Sequence, residues 1–290
     1  MSQHAGILDF VVREYPLYIH SMDNTNELSV PTHKALVRSI DKRPYVLGVV
    51  GKGYNVVQNG ELFDEVGKHI NANDHCEITD CVSNVGAYSQ REYFFKDKQA
   101  EIEQIVPERG IHQFIKTTVA FRIVVVNTFD GSSAVRVSTG SVDRYCLNKA
   151  VIGEFDQLSI RHNNKLILPK FEERIEAATV MFSKQADIWR SWARKVITHD
   201  AAQQVVNKLD ISDKQKERIV QRYIDHELPH RGANIYALYS AMTYLDTYMP
   251  VRNTVNDHAA RTLMLRERGT RALVYNDVWK EFADHVREAA

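Results

Sequence analysis

The sequence lacks an excess of charge of either sign, because 37 Lys and Arg residues balance 37 Asp and Glu residues over 290 positions. A protein that binds nucleic acid mainly through phosphate contacts usually carries an excess of basic residues. Any nucleic-acid surface on this chain must therefore be a local patch. Cysteine is scarce, and an odd number of three argues against the disulfide framework of a secreted domain. We therefore expect reduced thiols and a cytoplasmic location.

Long apolar runs are also missing. Segments such as Ile123–Val126 fall far short of the about 20 residues that span a bilayer, and the N-terminus lacks a secretory signal pattern. We expect no membrane partner. Low-complexity segments are absent too, and 44% apolar with 26% charged residues is ordinary for a globular chain with a sizeable core.

The first half of the chain carries strand patterns. Runs of β-branched and aromatic residues predict strands over Glu77–Val82, Ala87–Phe95, Phe114–Val126 and Ala134–Ser138. The pair Asp130-Gly131 is typical of a hairpin turn between the last two runs. Both alternating sets of side chains in the third run are largely apolar, so we expect a central strand that is covered on both faces.

Turn formers near the N-terminus predict further local structure. Tyr45–Val50 and Tyr54–Gln58 flank Gly51-Lys52-Gly53, and this arrangement predicts a second hairpin. Asn59 then suits the N-cap of a short amphipathic helix. Residues 29–39 look like an extended arm followed by a helical turn.

The second half changes to helical spacing. Apolar residues recur every three or four positions from Pro169 onward, which predicts one long amphipathic helix. The seam of this helix runs from Phe171 through Phe182 and Trp189 to Val196, and it predicts a structural spine and an oligomer contact. Shorter helices are predicted over 201–209, 214–227, 234–248, 254–268 and 275–286.

These patterns predict an α+β fold, with an antiparallel-rich sheet in the N-terminal half followed by a long helix and a C-terminal helical bundle. We expect a mostly β sheet domain over residues 1–165 and a helical region over 166–290 that packs on it. The boundary follows the turn formers at residues 162–164, where the period of the apolar pattern changes.

One segment matches a zinc-protease signature in letters alone. Residues 226–230 read His-Glu-Leu-Pro-His, which fits H-E-x-x-H. That chemistry needs both His on one face of a continuous helix, and Pro229 should break the helix between them. We therefore interpret the segment as the C-terminal end of a helix, where the helix dipole favours a histidine.

The remaining thiols and imidazoles match no recognised site. Two histidines and two cysteines lie close together without the C-x-x-C spacing of a standard zinc site: His69, His75, Cys76 and Cys81. Cys146 has no catalytic partner at a recognised spacing, so a packed thiol is the better interpretation. We expect no bound metal and no cofactor, and no catalytic residue can be singled out.

Basic and aromatic residues in the strand region form a candidate nucleic-acid surface. Lys52 sits at the predicted hairpin tip, and Tyr54 begins the returning strand, where an exposed ring could stack a base. Arg136 and Arg144 flank a predicted turn at residues 140–141. Lysines on the C-terminal helices are interleaved with acidic residues that offset their field. The predicted surface therefore lies on the sheet side, at Lys52, Tyr54, Arg136, Arg144 and Arg161.

Four stretches of sequence resemble one protein family in their order and spacing. They are Tyr54–Asn59 followed by Leu62-Phe63, then Phe129–Ser132 with Arg136 and Arg144–Asn148, then Ile160–Asn163, and finally Ile235–Thr243. The family is the phage/plasmid-like proteins known as domain of unknown function 932. The sequence departs from it at residues 244–246, where the last signature would end in Glu-Tyr with a nearby His. The resemblance implies a phage or mobile-element source and supplies no activity or catalytic residues.

Three functional hypotheses remain open. The first is a phage- or plasmid-encoded protein of the host cytoplasm that binds or anneals single-stranded DNA in recombination. Its basis is architectural, because phage annealing proteins of the Red-beta and Erf type also combine a small sheet with helices and form rings. The second is a non-catalytic protein-binding modulator of host defence or metabolism. The third is an enzyme whose site is assembled from distant residues: Asn127, Asp130, Arg144, Asn148, Arg161 and His162. We expect a homo-oligomer whose partner is single-stranded nucleic acid or a host protein.

Overall fold

The computed structural model describes residues 6–21, 26–70, 75–108, 111–143, 157–162, 171–248, 273–274 and 276–285. Within these ranges the chain forms two antiparallel sheets and then a set of helices. The predicted α+β class is confirmed, and the predicted boundary near residue 165 lies outside the described residues. No helix in these ranges combines the length and the apolar composition that crossing a bilayer requires.

A three-stranded sheet comes first, in the order β1 (Val12–His20), β2 (Glu27–Ile40) and β3 (Arg43–Gly51). The arm and helical turn predicted over residues 29–39 are wrong, because this segment is the middle strand. The predicted hairpin after β3 is wrong as well, since β3 pairs back with β2 and residues 54–58 form no strand. The glycines at the end of β3 do form a turn, but they do not indicate which strand pairs with β3.

Side-chain hydrogen bonds anchor the segment that follows β3. The Gln58 side-chain oxygen accepts from the Val12 backbone N–H at 3.0 Å, and its amide nitrogen donates to the Val12 carbonyl at 2.9 Å. This amide therefore reproduces the pair of bonds that a neighbouring strand would make to Val12. The apolar residues that suggested a strand instead pack against the small sheet, as Tyr54 and Val56 do.

The second sheet has five antiparallel strands in sequence order. They are β4 (Cys76–Ser83), β5 (Tyr88–Glu108), β6 (Ile111–Thr128), β7 (Val135–Asp143) and β8 (Gln157–Ile160). The middle strand is β6, and its residues 121–126 are buried on both faces. The predicted central strand and the predicted hairpin from β6 to β7 are therefore confirmed.

Helices occupy most of the remaining described chain. They are α1 (Asn59–Lys68), α2 (Phe171–Arg194), α3 (His199–Lys208), α4 (Asp213–Arg222), α5 (Leu228–Arg231), α6 (Ile235–Tyr248) and α7 (Asp277–His285), with a π-helical turn at Tyr223–Glu227. The predicted long helix and the shorter helices over these segments are confirmed. The helix predicted over residues 254–268 lies outside the described residues.

The long helix α2 is the spine of the fold. Its buried side chains join the core formed by the five-stranded sheet and α6. Phe182 contacts Phe121 of β6 with ring centroids 5.7 Å apart, and Trp189 contacts Tyr239 of α6 at 6.3 Å. Because the chain itself covers this seam, the seam is not the predicted oligomer contact. The seam also stops short of Val196, which is exposed beyond the end of α2, and the Phe171 side chain lies outside the described part.

Asn59 has a different role from the predicted N-cap. The N-cap of α1 is Gln58, and Asn59 is the first helical residue, with a buried side chain. Its amide nitrogen donates to the Ser89 hydroxyl at 2.9 Å, and its oxygen accepts from the Asn127 amide at 3.0 Å. Asn59 therefore ties α1 to β5 and β6, because buried amides need such partners.

The segment that matched a zinc-protease signature is helical throughout, so the predicted break at Pro229 is wrong. The π-helical turn precedes Pro229, which lies in the first turn of α5, where a missing N–H is tolerated. Both oxygens of the Glu227 carboxylate are nevertheless already hydrogen-bonded to arginines. Its two oxygens accept from Arg222 at 2.9 Å and from Arg231 at 2.8 Å. This carboxylate is therefore part of a buried ionic cluster and does not stand ready as a general base.

The two sheets meet where β3 crosses the turn between β6 and β7. A methyl group on Gly48 of β3 would lie 2.5 Å from the Asp130 Cα and 2.9 Å from the Phe129 carbonyl oxygen. Both obstacles are backbone atoms, so the close approach requires glycine.

We expect Gly48→Ala to lower the free energy of unfolding by about 1–3 kcal/mol through overpacking. Chemical denaturation followed by circular dichroism measures this loss. Gly60→Ala is the control, because that glycine lies in α1 with open space around it. Equal stability of the two variants would contradict the docking of β3 on the β6–β7 turn.

Candidate functional site

The junction of the sheets fixes the turn after β3. The Lys52 N–H donates to the Thr32 carbonyl at 2.9 Å, within the small sheet. The Tyr54 N–H donates to the Gly51 carbonyl at 2.9 Å and closes the turn. The Tyr54 hydroxyl then donates to the Thr128 carbonyl at 2.7 Å, at the end of β6. One tyrosine thus joins the two sheets.

A third chain segment reaches the same place just after β8. The rings of Tyr54 and His162 stack, with centroids 4.4 Å apart and an interplanar angle of 15°. Beside them, the Asn55 N–H donates to the His162 carbonyl. These two contacts hold His162 in a fixed orientation at the junction.

An open recess of about 480 Å³ lies beside the stacked rings. We call it the recess and define it by the described residues that line it: Gly51, Gly53, Tyr54, Gly131, Ser133, Ala134, Arg161 and His162. The turn after β6 shapes one wall, because the Ser132 N–H donates to the Asp130 carboxylate at 2.9 Å and Gly131 adopts a φ of 74°. Glycine takes that left-handed conformation without strain.

His162 is the most unusual side chain of the recess. It is only 5% exposed, and neither ring nitrogen makes a hydrogen bond of normal geometry to any residue that the structure describes. Burial lowers the pKa of His162, although the Asn55 backbone and the Asp130 carboxylate act in the opposite direction. The imidazole is therefore neutral near pH 7 and offers one donor and one acceptor.

Tyr54 is held in its neutral form by the same surroundings. Burial raises the pKa of the Tyr54 hydroxyl, and the nearby Asp130 carboxylate raises it further. The phenol consequently keeps its proton and its bond to the Thr128 carbonyl. This fixed, half-buried tyrosine corrects the prediction of an exposed ring at the start of a strand.

The structure brings together three of the five residues predicted for a nucleic-acid surface. Arg161 and Tyr54 line the recess, and Lys52 is exposed in the turn between Gly51 and Gly53. Neither Lys52 nor Arg161 makes an ion pair within the described ranges.

The other two predicted residues do not line the recess. Arg136 is half-buried on β7, where it pairs with Val126 of β6 and Ser159 of β8. Arg144 lies outside the described residues. The predicted turn at residues 140–141 is wrong, because both residues belong to β7 and pair with β6.

The residues proposed for an assembled enzyme site separate into two groups. Arg161 and His162 line the recess, and Asp130 lies in the turn beside it, close enough for its charge to act on His162. Asn127 is instead structural, because its buried amide donates to the Val57 carbonyl at 2.9 Å as well as to Asn59. Arg144 and Asn148 lie outside the described residues.

Two of the three cysteines lie in the described ranges, and both are on β4: Cys76 and Cys81. Cys146 lies outside the described residues. In the part of the chain that the structure describes, no three His, Cys, Asp or Glu side chains are grouped as a metal site would need.

The recess belongs to the part of the chain that matches a known family. A family model described as Domain of unknown function (DUF932) matches residues 46–290. The chain belongs to the DUF932 family. The DUF932 match includes every residue of the recess, and it leaves β1, β2 and the start of β3 outside. No curated protein and no solved structure is significantly similar to the chain.

Proposed function

We propose that the protein binds single-stranded nucleic acid at the junction of its two sheets. The observation that carries the proposal is a pair of cations, Lys52 and Arg161, that make no ion pair with any described residue and lie beside a recess with aromatic walls. Phosphate groups are bound by such cations, and unpaired bases stack on aromatic rings. The proposed setting is the cytoplasm of a cell that carries a phage or plasmid.

The charge distribution supports a local patch. The described part of the three-stranded sheet, from residue 12 to 52, contains six Lys or Arg and three Asp or Glu. Of these cations, only Lys34 makes an ion pair in the described ranges, with Glu14 at 2.8 Å. A neutral chain can thus present a positive surface on one sheet and offset it elsewhere.

The outer face of the small sheet offers a path toward the recess. Tyr15, Ala35 and Val49 are neighbours in register across the three strands, and Tyr15 is 47% exposed. Gly51 follows Val49 by two residues, so it lies on the same face about 7 Å away. Tyr15 lies about 10 Å across the sheet from Val49, two strand spacings away. A single strand that crosses Tyr15 and Val49 would therefore come within reach of the turn that contains Lys52.

Salt-dependent binding of a labelled oligothymidylate tests the proposal. We expect the affinity to fall steeply with salt, because phosphate contacts release counterions. Lys52→Gln and Arg161→Gln should each lower the slope of log affinity against log salt by about 0.7, one single-strand phosphate contact.

Lys214→Gln is the control, because Lys214 is exposed on α4, within the helical region. It should bind as the parent does. Absence of binding at low salt, or unchanged slopes in both site variants, would remove the proposal.

A second candidate function is binding of a host protein. It is favoured by apolar side chains on the same outer face, where Val46 is 65% and Val49 48% exposed. Exposed apolar clusters of this kind mark protein contacts. Once such a protein partner has been identified, Val46→Asp should abolish its binding and Lys52→Gln should preserve it. This pattern is the reverse of the one expected for binding of nucleic acid.

A further inference from the structure

We infer that the recess receives one unstacked nucleotide, with its base against the Tyr54–His162 pair and its phosphate at Lys52 and Arg161. This inference rests on the proposed function and specifies the ligand of the same site. A volume of about 480 Å³ suits a ligand of this size, because small-molecule pockets measure roughly 300–1,000 Å³.

The walls of the recess suit a flat ring. Gly51 and Gly53 carry no side chain, and the space where their Cβ atoms would lie is open. Gly131 forms another part of the wall in a conformation that favours glycine. Backbone without side chains allows a planar group to approach closely. The stacked rings of Tyr54 and His162, which we call the floor of the recess, also present a flat surface to such a group.

The floor of the recess suits a base better than a phosphate. A phosphate would need a positive group there, but His162 is a buried neutral imidazole. The Asp130 carboxylate lies close enough to influence both His162 and Tyr54, so an anion at the floor would be repelled. A nucleobase is neutral and carries hydrogen-bond donors and acceptors on its edge.

The buried imidazole supplies the matching hydrogen bonds. Its nitrogens make no hydrogen bond of normal geometry to a described residue, although the Asn55 backbone lies close enough to act on the ring, and leaving such a polar group unsatisfied is costly. A base edge could accept from one nitrogen or donate to the other. Arg161 lines the recess and Lys52 lies in the turn between Gly51 and Gly53, so the phosphate attached to that base would lie near these two cations.

Titration with thymidine 5′-monophosphate, adenosine 5′-monophosphate and inorganic phosphate, followed by NMR, tests the inference. We expect at least one nucleotide to bind at least ten-fold more tightly than inorganic phosphate. Gly53→Val should weaken that binding at least ten-fold, because it adds a side chain to a wall position whose φ lies outside the left-handed region. His162→Phe keeps the stacked ring and removes the polar edge, so it should also weaken nucleotide binding at least ten-fold.

Gly60→Val is the matched control, since that glycine is exposed on α1 away from the recess. Salt-dependent oligothymidylate binding without any nucleotide binding would overturn this inference and leave the proposed function intact. Nucleotide binding that Gly53→Val does not change would also overturn it. Nucleotide binding that meets these expectations without oligothymidylate binding would support the recess as a nucleotide site and remove strand binding. A protein that binds none of the probes would overturn both.

Discussion

Trp189→Ala is expected to lower the free energy of unfolding by about 3–5 kcal/mol. The Trp189 side chain is 1% exposed and packs against Tyr239 of α6 from its position on α2. Its indole nitrogen has no hydrogen-bond partner among the described residues, so the loss comes from packing and from the cavity left behind. Urea denaturation followed by far-ultraviolet circular dichroism measures the change, because this signal does not depend on tryptophan fluorescence.

Two further substitutions separate the core contact from a general effect on α2. Val180→Ala removes an exposed side chain from the same helix, so its stability should stay within about 0.5 kcal/mol of the parent. Trp189→Phe keeps an aromatic ring and should lose less than Trp189→Ala. If Trp189→Ala unfolds at the same urea concentration as Val180→Ala, α2 is not the spine of the core.

Glu227→Gln is expected to cost about 3–5 kcal/mol, because it removes the charge of a buried carboxylate that forms ion pairs with Arg222 and Arg231. Glu227 and Arg231 are each 1% exposed. Arg231 also donates to the Thr117 hydroxyl of β6 at 2.7 Å, and Thr117 accepts from the Gln104 amide of β5 at 2.7 Å. The cluster therefore joins the helical region to the β5–β6 hairpin, and its loss should loosen that contact.

The comparison for this variant is Glu217→Gln on α4. Glu217 is exposed, so removing its charge should change stability by less than about 1 kcal/mol. Thermal unfolding of both variants and the parent gives the difference. A Glu227→Gln variant as stable as Glu217→Gln would show that the carboxylate is not needed to neutralise the two arginines.

The sequence predicted elements wherever a local pattern reflects burial. The β6 strand is apolar on both faces and α2 repeats apolar residues at helical spacing, so each was predictable. The β2 strand was not, because most of its side chains are polar or partly exposed and alternation is weak. The segment at residues 54–58 looked like a strand, but it makes its link to β1 through the Gln58 side chain.

The recess could be predicted only in part. Arg161 and His162 stood out as polar residues after the strand region, and Lys52 and Tyr54 stood out as a basic residue and an aromatic near a glycine turn. Their meeting depends on the docking of two sheets, and no local pattern encodes it. The absence of a side chain at Gly48, which permits that docking, carries meaning only once the opposing backbone is known.

The stack of Tyr54 on His162 joins positions more than 100 residues apart in the chain. Contacts of such long sequence separation form only after the intervening loop has been closed, at an entropic cost that local contacts do not carry. The recess consequently exists only in a molecule in which both sheets are complete and β8 has been added. A nascent chain that has not yet emerged through residue 162 would lack the floor of the site, and no fragment carrying one sheet alone would contain it.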